Sequence, residues 1–293
     1  MTEKTKGVLA LLGIALVWSL MAMLPRYLST ALPLFQQVYL RFFCAAVFIA
    51  IIFRKQINFR QIFSGSAKDY WPIFLRTLLY YYLGVTLYTQ AVIVTKISNA
   101  SFIGALPLMA VLGFILFKEK VTASKVWLII LSFFGALIIS VQDYSRVFVF
   151  GWGELIALAS AFFISWGMLV RKWETKKFNN AGSSFLVMAL ATIMVFMTSL
   201  FTGEALPSRI PNGTIAALLL GGLFNTVLVI LMTFGMRRVK GVLASNLLQL
   251  EVPLTVLLAL FFYQEIPMFK DLFGGSLIFT AAFLMNRLEA KGA

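Results

Sequence analysis

Arg41, in the run QQVYLRFF, and Glu251, in LLQLEVPL, are charged side chains near the middle of stretches that are otherwise lipid-soluble. An ionised group at that depth costs roughly 2.5 to 3.5 kcal/mol on insertion scales, so such residues are rare and mark a pathway or a pair. At the α-helical rise, about 13 Å of helix separates Arg41 from either surface, which strains any snorkelling to the headgroups. Gln37 stands one turn away on the same face and extends a polar stripe. Two readings of Arg41 stand side by side: an anchor for an anionic or carboxylate end of a substrate, or a structural ion pair with Glu251. Glu251 carries the same two readings and a third, proton coupling. At about 100° per residue it points nearly opposite Asn246, Gln249 and Pro253.

Proline and aromatic residues add to this set. Pro253 cannot donate to the carbonyl of Gln249, and such a lapse is tolerated at membrane depth only beside protein or water. Pro107 breaks the stretch SNASFIGALPLMAVLGFILFKE in the same way. Trp18 and Trp166 lie inside corresponding stretches, and Tyr80, Tyr81 and Tyr82 cover most of a helical turn, so at least one of the three faces inward. With Phe102, we take Trp18, Tyr81 and Trp166 as cavity candidates beside Gln37, Arg41, Asn246, Gln249 and Glu251. A cavity so lined favours a substrate with an apolar or cationic portion. Arg76 is near enough to the edge of its stretch to reach headgroups, Trp71 and Trp127 read as interfacial anchors, and Asn99 and Asn246 as helix caps.

The composition narrows the chemistry. There is no histidine and one cysteine, Cys44, so the commonest general base, disulfides and thiolate metal sites are missing. No carboxylate pair or phosphate-cradling glycine motif offers an enzyme site, and no cofactor is expected. No filter sequence of the kind a channel uses is present. The formal charge of +14 suggests nucleic acid in a soluble protein. That reading fails where the basic residues sit on one side of a bilayer.

The elements that must hold these side chains are membrane helices. Hydrophobic residues make up 61% of the chain and charged residues 12%, with a mean hydropathy of +0.92. The apolar runs are about twenty residues long and do not alternate, which excludes a porin-like barrel. We read an all-α polytopic membrane protein of ten transmembrane helices: Gly7–Leu24, Pro33–Phe53, Tyr70–Val92, Ser98–Phe117, Lys125–Val141, Gly153–Val170, Ser183–Phe201, Ile215–Met236, Gly241–Tyr263 and Leu272–Met285. The first reads as a retained span rather than a signal peptide. Loops on the N-terminal side carry most of the basic residues, among them Lys4, Arg54, Lys55, Arg171, Lys172, Arg237 and Arg238. The opposite side has Arg26, Lys96, Arg146, Arg209 and Lys270. The positive-inside rule then places both termini in the cytoplasm.

The chain repeats itself. Pro107 and Pro253, Glu119 and Glu265, and Ser19 and Ser165 are each 146 residues apart, and ALVWSLMAML at Ala15 aligns without a gap to AFFISWGMLV at Ala161. The halves are residues 1–146 and 147–293. With five spans in each, the second enters from the opposite face, which gives two inverted five-helix repeats, an architecture of secondary transporters. Gly221-Gly222 and Gly274-Gly275 read as points of close helix approach.

These features together resemble the drug/metabolite transporter superfamily, in particular its EamA-type ten-helix members, with amino-acid exporters as one branch. The resemblance rests on SNAS at Ser98, the mid-span proline, FKEKVT closing the fourth span, GELIALASAFFISW opening the sixth and FYQEIP ending the second copy. It covers nearly the whole chain. One departure is that family members often carry glycine before the helix-ending glutamate, where this chain has Lys118 and Gln264. The resemblance implies a carrier of small metabolites in a bacterial-type inner membrane, often an exporter of amino acids or related amphipathic compounds. Multidrug or cation efflux and carriage of nucleotide-like metabolites share the same fold. Spans one to four and six to nine are expected around the cavity. Spans five and ten are expected at the periphery, packed on the outside or against a second copy as a homodimer. The expected partners are thus a small-molecule substrate and the lipid bilayer, with no nucleic acid.

Overall fold

The computed structural model describes residues 2–117, 122–140, 151–175, 177–204, 210–236, 247–248 and 250–292. Among them there is no strand. Helices α1 (Glu3–Leu28), α2 (Leu34–Ile52), α3 (Phe59–Phe63), α4 (Ala67–Arg76), α5 (Thr86–Val94), α6 (Ile97–Gly104), α7 (Leu108–Phe117), α8 (Ala123–Ser140), α9 (Trp152–Val170), α10 (Asn180–Phe201), α11 (Asn212–Met236), α12 (Glu251–Tyr263) and α13 (Phe269–Gly292) follow in order. Thr77–Val85 joins α4 to α5 as a π-helical stretch. Each predicted span overlies helix, the ninth from Glu251 onward. Among the described residues, five helices are long and apolar enough to cross a membrane: Thr5–Leu28, Leu34–Ile52, Ala67–Val94, Trp152–Val170 and Asn180–Phe201. Ala123–Ile139, Asn212–Leu228 and Glu251–Tyr263 are shorter apolar helices. Glu119, Asn246 and Gln249 lie outside the described residues.

The chain gathers into two compact units. Unit one comprises Met1–Met23, Gln90–Ala161 and Ile230–Ala293; unit two comprises Leu24–Thr89 and Phe162–Val229. Each draws segments from both sequence halves.

In unit two, α2 packs along α10. Val38, Phe42, Ala45 and Ile49 recur at the spacing of one helical face and meet Val187, Ala191 and Val195, all buried. Pro33 at the N-terminus of α2 has no side chain that can cap. Glu204 serves instead, its carboxylate accepting the Phe35 and Gln36 N–H groups at 3.1 Å and the Ser199 hydroxyl at 2.8 Å. A Cβ at Gly222 would come within 2.5 Å of Cys44 Cβ, so α11 lies with its backbone against α2.

In unit one, α13 lies on α8, and α6 meets α12, α13 and α8. Spans five and ten thus pack against one another. Gly135 and Gly274 make the crossing: a Cβ on either would stand 2.5 Å from the other's carbonyl oxygen. Phe102 fills the notch over Gly275.

The two prolines are used differently. Pro107 parts α6 from α7, and the Ile103 carbonyl it leaves is taken up by the Leu106 N–H at 3.1 Å. Pro253 is the third residue of α12, in a first turn whose amides have no carbonyl to serve, so within α12 it costs no hydrogen bond. Leu247 and Leu248 are also helical, Leu250 is a turn and α12 starts at Glu251, so helix restarts beside Pro253, while the Gln249 carbonyl lies outside the described residues. At the other end of α12, Gln264 takes the left-handed conformation (φ 54°, ψ 30°) that favours glycine. That is the physical reason a glycine suits this position.

Candidate functional site

Arg41 is the eighth residue of α2 and 3% exposed. Its Nε donates to the Gln37 carbonyl at 3.1 Å and its Nη2 to Thr89 Oγ1 at 2.9 Å. Gly221 on α11 makes room for the stem, since a Cβ there would sit 3.0 Å from Arg41 Cδ. A guanidinium has five N–H donors, and Nη1 makes no hydrogen bond among the described residues. No carboxylate among the described residues of unit two lies within salt-bridge distance. Gln37 is fully buried, and neither its Oε1 nor its Nε2 has a partner. Thr86 Oγ1, one turn before Thr89, is also buried without one. Polar groups held in this condition are costly unless something pairs with them. The π-helical stretch before Thr86 widens the turn and resets the register of α5 against α4, a distortion frequent at functional sites.

The other sequence candidates take varied places. Tyr81 lies edge-on to Phe42 at 5.7 Å, packs on Tyr80 at 4.6 Å and receives the Arg76 guanidinium at 6.0 Å. Arg76 does not serve as a headgroup contact here: it pairs with Glu174 at 2.8 Å, and Glu174 also accepts the Ser183 hydroxyl at 3.1 Å. Trp166 is half-buried, edge-on to Phe162 at 5.7 Å, with its indole N–H buried and unpaired. Gln37, Arg41, Tyr81 and Trp166 all belong to unit two.

Trp18, Phe102 and Glu251 belong to unit one. Trp18 is half-buried beside Ser19, whose hydroxyl donates to the Leu16 carbonyl at 2.9 Å. Phe102 is buried by its packing on α13. Glu251 opens α12, half-buried, and makes no hydrogen bond or ion pair among the described residues; Thr255 Oγ1, one turn on, is buried without a partner.

Two residues escaped the sequence reading. Thr89 looks like any threonine in an apolar run until it is seen to hold Arg41. Glu154, read only as part of the motif opening the sixth span, is 2% exposed in the first turn of α9. Its Oε1 accepts from Thr95 Oγ1 and from Asn99 Nδ2, the latter at 3.1 Å. Asn99 is accordingly not the cap of α6. Lys96 occupies that position without capping, and the Glu265 carboxylate accepts the Ile97 N–H at 2.8 Å. A buried acid isolated within its apolar segment was the available signal for Glu154.

The EamA-like transporter family matches the chain twice, at residues 5–141 and 151–287. The chain belongs to the EamA-like transporter family. Both ends of the second match lie 146 residues after those of the first (5 to 151, 141 to 287), the offset seen in the sequence. The protein is thus a two-repeat, all-helical, multi-pass membrane transporter of the drug/metabolite type. None of the curated proteins searched matches it. One solved structure, titled only as the crystal structure of a protein, superposes with a TM-score of 0.65 at 15% identity, over 97% of this chain and 98% of its own. At that identity the likeness concerns the fold alone.

Proposed function

We propose that this EamA-family transporter moves a small carboxylate-bearing metabolite, an amino acid or similar amphipathic zwitterion, outward across the cytoplasmic membrane by alternating access. Both termini lie in the cytoplasm in this reading, following the distribution of basic residues. Arg41 carries the proposal: a buried guanidinium whose Nη1 makes no hydrogen bond among the described residues offers a carboxylate a charge-assisted, fork-shaped partner. Gln37, with both amide atoms unpaired, supplies a donor and an acceptor for the neighbouring polar atoms of the same ligand. Aromatic surface at Tyr81 and Trp166 suits the apolar remainder. A purely cationic drug would meet like charge at Arg41, which disfavours multidrug cation efflux as the main activity. The test is counterflow of labelled amino acids into proteoliposomes holding the purified protein. Exchange of at least one carboxylate-bearing compound is expected, and its inhibition by unlabelled excess. No exchange across a broad panel, with protein that remains folded, rejects this substrate class.

A further inference from the structure

Glu154 is the feature of unit one that the proposed transport does not use. Its carboxylate is 2% exposed, and no lysine or arginine among the described residues lies within salt-bridge distance of it. Lys96, adjacent to Thr95, is engaged elsewhere, with Asp271 at 3.1 Å and the Ile266 carbonyl at 3.1 Å. Glu265, in the segment after α12, is held on the Ile97 N–H. A buried carboxylate without a counter-charge is expensive, and its place in the first turn of α9 offsets only part of that cost.

The surroundings are built rather than incidental. Gly153 brings the start of α9 against Thr95: a Cβ there would stand 2.6 Å from Thr95 Cβ. That approach sets the Thr95 hydroxyl and the Asn99 amide on the carboxylate. Asn99 is 3% exposed and aimed at Glu154, yet its Oδ1 is buried with no partner, and so is the neighbouring Ser98 hydroxyl. Carboxylate, amide and hydroxyl oxygens are the ligands hard cations take. The amide's two ends differ only by a flip, so Asn99 can turn its oxygen to the site. One carboxylate balances one positive charge, which selects a monovalent ion over a divalent one.

We infer that Glu154, Asn99 and Thr95 form a binding site for sodium. In a carrier that exports, sodium entering down its gradient would supply the drive; that clause rests on the proposed function, whereas the site does not. The experiment therefore needs no substrate. The purified full-length protein is unfolded thermally in sodium chloride and in choline chloride at matched ionic strength and pH, with binding of radioactive sodium measured in parallel. A saturable rise in melting temperature with sodium alone is expected, together with saturable uptake of label. Glu154→Gln abolishes both, while Thr95→Val and Asn99→Ala weaken the midpoint by about tenfold, or 1.4 kcal/mol. If Glu154→Gln does not fold, those two variants decide the matter. Equal melting in the two salts, a sodium response that survives in all three variants, or a response to acid with none to sodium overturns the inference.

Discussion

Arg41 in unit two and Glu154 in unit one are both more than nine-tenths buried, and neither has an opposite charge within salt-bridge distance among the described residues of its own unit. Their support differs. Arg41 is the eighth of nineteen residues in α2, held by a carbonyl and a hydroxyl, with donors left over. Glu154 is the third of nineteen in α9, where the helix N-terminus favours negative charge, and the Asn99 amide bonded to it has an unpaired oxygen. The first arrangement waits for an acceptor deep in the span, the second for a cation near a helix end. Neither has a twin. The position 146 residues after Arg41 is Val187, fully buried in the core of unit two, and the position 146 residues before Glu154 is Val8. Duplication supplied matching helices, and the charged groups stand in one copy each.

That contrast is broken most severely at Arg41. Arg41→Gln removes the charge while keeping a hydrogen-bonding side chain, and initial transport rates in proteoliposomes should fall roughly 30-fold or more, the scale of losing a buried charge partner. Arg41→Lys should recover only part, since an ammonium lacks the planar fork.

The next effect is on the frame of unit one alone. Gly274→Leu drives a side chain into the Gly135 carbonyl, and thermal unfolding in detergent should show a loss of about 1 to 3 kcal/mol or more. Gly104→Ala, where a Cβ meets nothing within 4 Å, should leave stability unchanged or slightly raised.

The two carboxylate caps come third, because they do the same work in different units. Glu204→Ala uncaps α2 and Glu265→Ala uncaps α6, each by about 0.5 to 2 kcal/mol in the same assay. A much larger loss for one alone would show that its carboxylate does more than cap. The smallest change is a gain: Gln264→Gly relieves the left-handed residue ending α12 and should stabilise by roughly 1 kcal/mol.

What the sequence made legible follows from range. Helix-length apolar runs and the fixed offset between halves are local or periodic properties and stand in the structure, where Arg41 and Gln37 are buried on α2. So do the glycine pairs, because a missing side chain in an apolar span has few uses other than close packing. Partners far apart in the chain were not legible. Arg76 finds Glu174 across 98 residues and Phe35 finds Glu204 across 169, and no periodicity announces either. The π-helical stretch at Thr77–Val85 was hidden too, since its composition is that of any apolar helix.

The claim at the centre is that Arg41 reads a carboxylate. It is tested most directly by ligand-induced stabilisation with matched pairs, each amino acid that counterflows set against its uncharged-carboxyl amide, in wild type and Arg41→Gln. The acid should raise the melting temperature of the wild type and the amide should not, with the difference lost in the variant. Equal stabilisation by acid and amide, or a preference for the acid that survives in Arg41→Gln, would contradict it.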